Sequence, residues 1–394
     1  MLFQVFDNKP NRFSIYSNGT FYKNELPSGC NETWKYTKLL RDRTDVRYAK
    51  YWSNGKTLNE LCPSNLKDKW SKSQAKMNAF FTSCKEVDLN LSDYWFDEIV
   101  PSYILEEFGE LRNKICENTF KCLTPISTVG IISKLASVLE EIKQQKLQIV
   151  QNNLSKETKE KNKQFLLSIG LKSGYLKYNQ FGTKTGRLSL SSDSFPVLNL
   201  KKELRQMITP QNDYFLELDH NASDLRTFLG LMDKEQPQMD LHIWNMQNVF
   251  KNVKDKTEAK RKMFSWFYNP QLSDPEMEKV YDRSYLEDKY FKNSLICSPY
   301  GDTVESTSFN WLNHLIQRTY ANIFAEQSHK IWELLKDKKT KIALLMHDCI
   351  LLDVSEQDNL SIPQLSKEYG STRFGEFVVN TKTGPNWFEM SKCT

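Results

Sequence analysis

KIALLMHDCILLDV (residues 341–354) holds two apolar runs on either side of His347 and Asp348. This pattern predicts a β-hairpin that displays those two residues at its tip. Far upstream, YFLELD (residues 214–219) is an apolar, strand-like run that ends on Asp219. Each segment therefore carries a carboxylate at the end of an apolar strand, and a rigid sheet could present both carboxylates to one cleft.

Asp219 and Asp348 are candidate metal ligands and catalytic residues. Phosphoryl transfer from a nucleoside triphosphate needs positive charge on the leaving phosphates and on the attacking oxygen. Two Mg²⁺ ions held by carboxylates supply that charge, and Mn²⁺ can substitute for them. Taken singly, either aspartate could instead cap a helix or stabilise a turn, so the pair gains its meaning from neighbouring residues.

The segment KTEAKRKMFSWFYNP (residues 256–270) is predicted to be a helix that Asn-Pro stops. A spacing of four places Lys256, Lys260, Phe264 and Tyr268 on one face. Such a face offers two cations for a triphosphate and two rings for stacking on a base or sugar. The alternative is a solvated lysine face whose aromatic residues belong to the core.

Asp240-Leu241-His242 opens another predicted helix, LHIWNMQNVF (residues 241–250). The imidazole of His242 could donate a hydrogen bond to a phosphate. A single histidine on a helix is also compatible with a purely structural role, and the residues alone leave both alternatives open.

Composition narrows the class of protein. The formal charge of +5 is a small difference between 54 basic and 49 acidic residues, which favours an anionic partner only mildly. The eight cysteines show no CxxC spacing and are expected to be reduced thiols. No signal peptide or membrane-spanning segment is evident. We therefore expect a soluble, cytoplasmic protein with no membrane partner.

The chain changes character along its length. Residues 1–88 hold short aromatic-rich runs, such as RFSIYSNGTFYK with its Asn-Gly turn signal, and predict a small β-containing region of unknown role. Residues 89–172 are predicted to be helical, notably VGIISKLASVLEEIKQQKLQIVQNNL (residues 129–154), whose apolar residues recur at three and four. A helical sub-domain is expected there.

Seven motifs, in order from Tyr178 to Trp387, resemble the polymerase domain of bacterial DNA polymerase I and its phage and organellar relatives, which form family A. They are YNQFGTKTGRLS (178–189), DHNASDLR (219–226), DLH (240–242), KTEAKRKMFSWFYN (256–269), NHLIQ (313–317), MHDC (346–349) and GPNW (384–387). The Lys- and Asn-rich composition would suit a phage-type member. The resemblance implies a DNA-directed DNA polymerase, a nucleotidyltransferase of DNA replication.

The resemblance assigns roles at the nucleotide. Asp219 and Asp348 would hold two Mg²⁺ ions, and Lys260 would stabilise the leaving pyrophosphate. The other positions implied to contact the deoxynucleoside triphosphate are Lys256 and His242 at the phosphates, Phe264 as a stacking ring, Tyr268 near the templating base, and Asp224 in the place of the family's sugar-gating glutamate.

It also assigns contacts with primer–template DNA. Arg187 stands at the position of a minor-groove-reading arginine, and His347 would contact the primer end. The remaining implied DNA contacts are Tyr178, Asn179 and Gln180 in the first motif and Asn313 and Gln317 on a helix.

Five positions depart from the family pattern. They are Asp224 for Glu, Lys256 for Arg, Asn269-Pro270 for Gly, Phe309 for a template-contacting Arg, and Cys349 for the acidic residue after the second metal ligand. The shorter Asp224 predicts a looser contact with the sugar and with Tyr268, and hence weaker rejection of ribonucleotides. None of these changes removes a metal ligand.

The implied architecture is an α+β right hand with an antiparallel palm sheet and helical fingers and thumb. Its predicted parts are an N-terminal region (1–88), a thumb (89–172), a first palm segment (173–228), fingers (229–310) and a second palm segment (311–394). Residues 1–130 contain no Asp-x-Glu, so we expect no intrinsic 3′–5′ exonuclease. A separate exonuclease or processivity factor could dock on residues 1–88.

Two rival functions stay open. One is a single-subunit RNA polymerase relative, against which Asp224 and the TGRLS and NxxxQ motifs favour DNA. The other is a catalytically impaired polymerase-like module that only binds DNA or a partner. Retention of both Asp219 and Asp348 argues against the second rival.

Overall fold

The structure is a computed structural model that describes residues 1–9, 12–89, 94–170, 174–250 and 252–393. The chain divides into two compact units, Met1–Glu140 and Glu141–Thr394. The predicted boundary between thumb and palm at residues 172 and 173 lies outside the described residues. The division into thumb, palm and fingers stays a prediction.

The first unit combines short strands with helices. Its strands are β1 (Gln4–Lys9), β2 (Arg12–Ser17), β3 (Thr20–Lys23), β4 (Glu32–Thr33) and β5 (Arg47–Tyr48). Its helices are α1 (Ala49–Trp52), α2 (Leu58–Leu61), α3 (Lys67–Glu86), α4 (Phe96–Ile99) and α5 (Ser102–Cys122), and helix α6 (Val129–Lys143) runs across the boundary between the units. Strands β1, β2 and β3 form an antiparallel sheet in that order.

The hairpin of β2 and β3 has the predicted Asn-Gly turn. Asn18 has φ 48° and Gly19 has φ 77°, which suits a two-residue turn with left-handed backbone at both positions. The long helix α3 was not predicted. Its sequence is strongly polar, and its apolar stripe is thin, with Trp70, Met77 and Cys84 buried at a spacing of seven.

The second unit contains the predicted site segments. Its strands are β6 (Gln148–Ile149), β7 (Tyr178–Asn179), β8 (Ser189–Leu190), β9 (Ile208–Thr209), β10 (Tyr214–His220), β11 (Phe291–Lys292), β12 (Leu295–Cys297), β13 (Thr303–Glu305), β14 (Lys341–Met346), β15 (Cys349–Val354), β16 (Ser371–Thr372), β17 (Gly375–Glu376), β18 (Val379–Gly384) and β19 (Ser391–Lys392). Its helices are α7 (Lys156–Lys161), α8 (Lys163–Gly170), α9 (Ser223–Leu231), α10 (Leu241–Asn248), α11 (Lys256–Tyr268), α12 (Pro275–Glu278), α13 (Arg283–Tyr290), α14 (Trp311–Leu335) and α15 (Ile362–Gly370).

An antiparallel sheet with strand order β14, β15, β10, β18, β19 is the centre of the second unit. Strand β15 is buried along its whole length, as expected for an apolar run in the middle of a sheet. The predicted hairpin is present, because β14 and β15 pair with only His347 and Asp348 between them. The predicted strand at 214–219 is also present, as β10.

Helices α9, α11 and α14 share one apolar core that includes Phe228, Trp266 and Leu312. This packing fixes α11 relative to the start of α9, the helix that follows strand β10. The predicted helices at 241–250 and 256–270 are confirmed as α10 and α11, and α11 ends just before Asn269-Pro270.

The single helix predicted over residues 129–154 is wrong in its second half. Helix α6 ends at Lys143, and Gln148–Ile149 instead pairs with Ile208–Thr209 as a short antiparallel ladder. Leu147 and Leu154 are buried there. Tertiary packing and ladder hydrogen bonds therefore override the helical periodicity of the segment.

Two features of composition have simple outcomes. The eight cysteines, all of them within the described residues, are unpaired. Over the described ranges of the chain, we find no helix with the length and apolar character needed to span a membrane.

Candidate active site

The sheet brings Asp219 and Asp348 together at the end of strand β10 and the tip of the β14–β15 hairpin. Asp219 lies opposite Cys349 in the pairing of β10 with β15, and the main-chain N–H of His220 donates to the carbonyl of Asp348 at 3.2 Å. Asp348 is the second residue of the two-residue hairpin turn, whose first residue, His347, has a left-handed backbone with φ 56°. Carboxylates far apart in sequence thus become neighbours.

The surroundings of both carboxylates disfavour their charged form and raise their pKa. Burial, and then repulsion by Asp348, raise the pKa of Asp219 to about 7, although a hydrogen bond from Asn380 Nδ2 at 3.2 Å partly opposes the shift. Burial also raises the pKa of Asp348, against a hydrogen bond from Ser223. Two half-buried carboxylates, close enough for one to raise the pKa of the other, are groups that a bound cation would stabilise.

The carboxylates of Asp219 and Asp348 suit divalent ions that are also coordinated by the substrate. Among the described residues, no group of three or more His, Cys, Asp or Glu side chains could hold a metal ion by itself. Mg²⁺ in nucleotide enzymes is commonly held by one or two carboxylates together with water and substrate phosphates. The nearby Lys382 is already ion-paired with Glu217, so it offsets the charge of Asp219 only in part.

Cys349 places a neutral thiol beside Asp219, where the family that the sequence motif resembles has an acidic residue. Its side chain is buried, lies directly opposite Asp219 in the sheet, and has a pKa raised well above the usual value by burial. An acidic residue at this position would place one more negative charge beside Asp219. The neutral thiol adds no charge at this position.

Helix α11 presents the predicted cationic and aromatic face to solvent. Ala259, Met263, Trp266 and Phe267 form its buried side, whereas Lys256, Lys260 and Tyr268 are exposed and Phe264 is half-buried. The rings of Phe264 and Tyr268 stack with centroids 5.6 Å apart and an interplanar angle of 7°. The ammonium of Lys260 lies 5.7 Å from the centroid of Phe264. Phe264 and Tyr268 are therefore not core residues.

Asp224 connects that face to the carboxylates. Tyr268 Oη donates to Asp224 Oδ2 at 2.8 Å, and Arg187 Nη2 donates to Asp224 Oδ1 at 3.3 Å. The charge of Asp224 also contributes to raising the pKa of Asp348. The shared core of α9 and α11 thus brings Asp224 and Tyr268 within hydrogen-bond distance despite the shorter side chain. The looser contact with the sugar, relative to a glutamate, stays a prediction.

His242 lies beside the same face as a buried, neutral imidazole. Burial, and to a smaller extent the neighbouring Lys260 and Lys256, lower its pKa to about 4 against the opposing effect of Asp240. Its ring centroid is 6.0 Å from that of Phe264. Its Nδ1 atom has no hydrogen-bond partner within the described part of the chain.

Lys256 and His242 share one anchor, Asp240. The Asp240 carboxylate caps α10 by accepting from the main-chain N–H groups of His242 and Ile243, at 3.0 and 3.1 Å. Lys256 Nζ contacts the other carboxylate oxygen at 2.5 Å. The fully buried guanidinium of Arg226 donates to main-chain carbonyls of Asn221, Pro237 and Met239, and so fixes the loop that leads into α10.

The predicted DNA-contacting residues of the first motif lie on the short β7–β8 hairpin. The hydroxyl of Tyr178 donates to the Leu345 carbonyl at 2.6 Å and accepts from the Leu345 N–H at 3.0 Å. This hydroxyl therefore attaches the hairpin to strand β14. Asn179 is exposed and its side-chain oxygen accepts from the N–H of Phe181, while Gln180 is half-buried.

The other predicted DNA contacts are divided between α14 and the β14–β15 turn. Gln317 Nε2 donates to Asn313 Oδ1 at 2.6 Å, one helical turn away on α14. His347 is exposed, and partial desolvation, together with Arg187 and Arg205, lowers its pKa against the opposing effect of Asp348. Arg187, which contacts Asp224, is thus among the charges that act on His347 beside Asp348.

Some residues of the site were missed from sequence. Ser223 and Asn380 donate hydrogen bonds to the two carboxylates, and Tyr369 donates to the main chain of Asp348. Ser223 lies inside a recognised motif and could have been noted as a polar neighbour. Nothing in the local pattern around Asn380 or Tyr369 indicates such a role.

Comparison with solved structures identifies the fold. The described residues form a mixed helix-and-sheet fold, and among solved structures it is similar to the POL domain of Pol1 from M. smegmatis in complex with DNA primer-template and dNTP. The TM-score is 0.61, the identity is 13%, and the match covers 98% of this chain and 95% of that chain. A scan against protein-family models and a search of curated proteins each find no match. The chain has the fold of a DNA polymerase domain.

Proposed function

We propose that the chain is a DNA-directed DNA polymerase of the family A type, which adds deoxynucleotides to a primer 3′ end. The observation that carries the proposal is that Asp219 and Asp348 lie together at the same end of the sheet, next to the Asp224–Tyr268 hydrogen bond. The likeness to a domain solved with primer-template and dNTP supports it. In this proposal the right-hand parts have the boundaries predicted from sequence.

Asp219 and Asp348 would hold two Mg²⁺ ions, which when bound supply positive charge to the attacking oxygen and the leaving phosphates. The protein's own residues prepare the rest of the site. Lys260 and Lys256 attract the triphosphate to the exposed face of α11. His242 is uncharged at neutral pH, as its pKa of about 4 requires, and so can donate a hydrogen bond from a buried position.

The rings of Phe264 and Tyr268 are stacked; Phe264 would stack on the incoming nucleotide and Tyr268 would lie near the templating base. Asp224 is held by Tyr268 and Arg187, which sets the carboxylate that would face the sugar. The duplex would contact Arg187 and His347 near the carboxylates and Asn313 and Gln317 along α14. Binding of this kind depends mainly on backbone phosphates and is therefore sensitive to salt.

Primer extension tests the proposal. The purified chain is mixed with primer–template, Mg²⁺ and either deoxynucleotides or ribonucleotides, and the same assay is run with Asp219→Ala and Asp348→Ala. Asp288, an exposed residue of α13, provides the matched control Asp288→Ala. We expect extension with deoxynucleotides, near-complete loss in both site variants and parental activity in the control.

Other outcomes would reject the proposal or part of it. Parental activity in either site variant would reject the site. Preference for ribonucleotides would favour an RNA polymerase relative. Tight binding of primer–template without extension would favour the DNA-binding module. Degradation of a mismatched primer end by the purified chain would overturn the expected lack of a 3′–5′ exonuclease.

A further inference from the structure

Asp348 is held at two separate atoms, although it lies at the tip of a hairpin. Ser223 Oγ donates to its carboxylate oxygen Oδ2 at 3.0 Å. Tyr369 Oη donates to its main-chain carbonyl at 2.8 Å. A residue in a two-residue turn normally relies on the turn alone for its orientation. Here a helix start and a second helix fix both the side chain and the main chain of the same residue.

The position of Ser223 depends on an unusual backbone. Ala222, which precedes it, has φ 52° and ψ 49°, a left-handed conformation that alanine rarely adopts. This turn lets the chain pass directly from strand β10 into helix α9. Ser223 becomes the first residue of that helix, is buried, and directs its hydroxyl to Asp348.

Tyr369 is rigid for a different reason. It is fully buried, and its ring stacks on His220 with centroids 3.9 Å apart and an interplanar angle of 4°. The two ring nitrogens of His220 are both engaged, one by Tyr320 Oη at 2.8 Å and the other by the Tyr369 carbonyl at 2.9 Å. His220 directly follows Asp219, so one buried network supports the main chain at both carboxylates.

We propose that Ser223 and Tyr369 are positioning residues that hold Asp348 ready to bind a divalent ion. This inference rests on the proposed function. Residues that orient a metal ligand through hydrogen bonds typically change metal affinity by 10- to 100-fold when they are removed. Because the two contacts use different atoms of Asp348, each should contribute when the other is absent.

The test measures metal binding without catalysis. Mn²⁺ binding is followed by electron paramagnetic resonance in a complex of the chain, a dideoxy-terminated primer–template and the matching deoxynucleotide. We expect Ser223→Ala and Tyr369→Phe each to weaken Mn²⁺ binding by about tenfold or more. Ser223→Thr keeps the hydroxyl and should keep most of the affinity. Tyr281, which is equally buried and donates to Asn245 Oδ1 at 2.8 Å, gives the matched control Tyr281→Phe.

Extension kinetics complete the test. If the two residues position the ion, the concentration of Mg²⁺ needed for half-maximal extension rises in both variants, while kcat at saturating Mg²⁺ recovers toward the parental value. Mn²⁺ affinity equal to that of the parent in both variants would overturn the inference, as would activity that no concentration of metal restores. A parent chain that neither binds Mn²⁺ nor extends primers would instead reject the proposed function.

Discussion

His242 should make the folded chain sensitive to mild acid, and the variant His242→Gln should remove that sensitivity. The imidazole is 6% exposed, and burial lowers its pKa from 6.5 to about 4. In the unfolded chain the same ring titrates near 6.5. Between these two values the unfolded chain binds a proton that the folded chain does not.

The sign and size of the change in stability follow from the difference between the folded and unfolded pKa of His242. A group whose folded pKa is depressed stabilises the fold fully above the unfolded pKa, and that contribution is lost as the pH falls from 6.5 toward 4. A shift of this size corresponds to roughly 3 kcal/mol at about 1.4 kcal/mol per pH unit. Most of it, about 2 to 3 kcal/mol, should be lost between pH 7.5 and pH 4.5.

Urea unfolding at pH 7.5 and pH 4.5 measures the effect. The parent chain should lose about 2 to 3 kcal/mol more between these two values than His242→Gln does. Other buried groups also titrate in this range, including His220, whose pKa burial lowers to about 3. They are present in both proteins and cancel in the comparison. Parallel stability profiles for the two proteins would refute the assignment of a buried neutral imidazole.

Three further predictions concern neighbouring residues. Asp240→Asn keeps a good helix cap but removes the carboxylate that pairs with Lys256 at 2.5 Å. Because Lys256 then no longer pairs with a carboxylate, the KM for deoxynucleotides should fall about two- to fivefold in steady-state kinetics. An unchanged or raised KM would contradict this. Asp224→Glu should strengthen the rejection of ribonucleotides in competing primer extension, and no gain in selectivity would count against Asp224 as the sugar gate. Arg226→Met leaves three main-chain carbonyls without their donor and should lower the free energy of unfolding by roughly 3 kcal/mol or more, whereas a loss below about 1 kcal/mol would show that water replaces the guanidinium.

The elements that sequence predicted are those with strong local signals. The hairpin at 341–354 is marked by two apolar runs around a polar pair, and α11 by a spacing of four that ends at Asn-Pro. In α11 the periodicity even separates the exposed face of Lys260 and Phe264 from the buried face of Trp266. Local rules suffice because each of these segments has one apolar side to bury.

The residues that sequence missed depend on contacts between distant segments. Tyr369 reaches Asp348 only because α15 packs against the sheet, and Asn380 reaches Asp219 through the pairing of β18 with β10. The premature end of α6 has the same origin, because a ladder with residues 208–209 competes with helix. No local pattern contains such information, since each partner lies far away along the chain.

The register of the paired strands, more than either motif by itself, determines that Asp219 and Asp348 lie together. Glu217 and Asp219 point to the same face of β10 because side chains alternate along a strand, and the observed register places Asp219 opposite Cys349. A shift of one residue would turn the face that carries Asp219 away from the hairpin tip. The two-residue turn fixes the register of β15 against β14, with Met346 opposite Cys349. The turn that carries Asp348 therefore also helps to determine where the two acids meet.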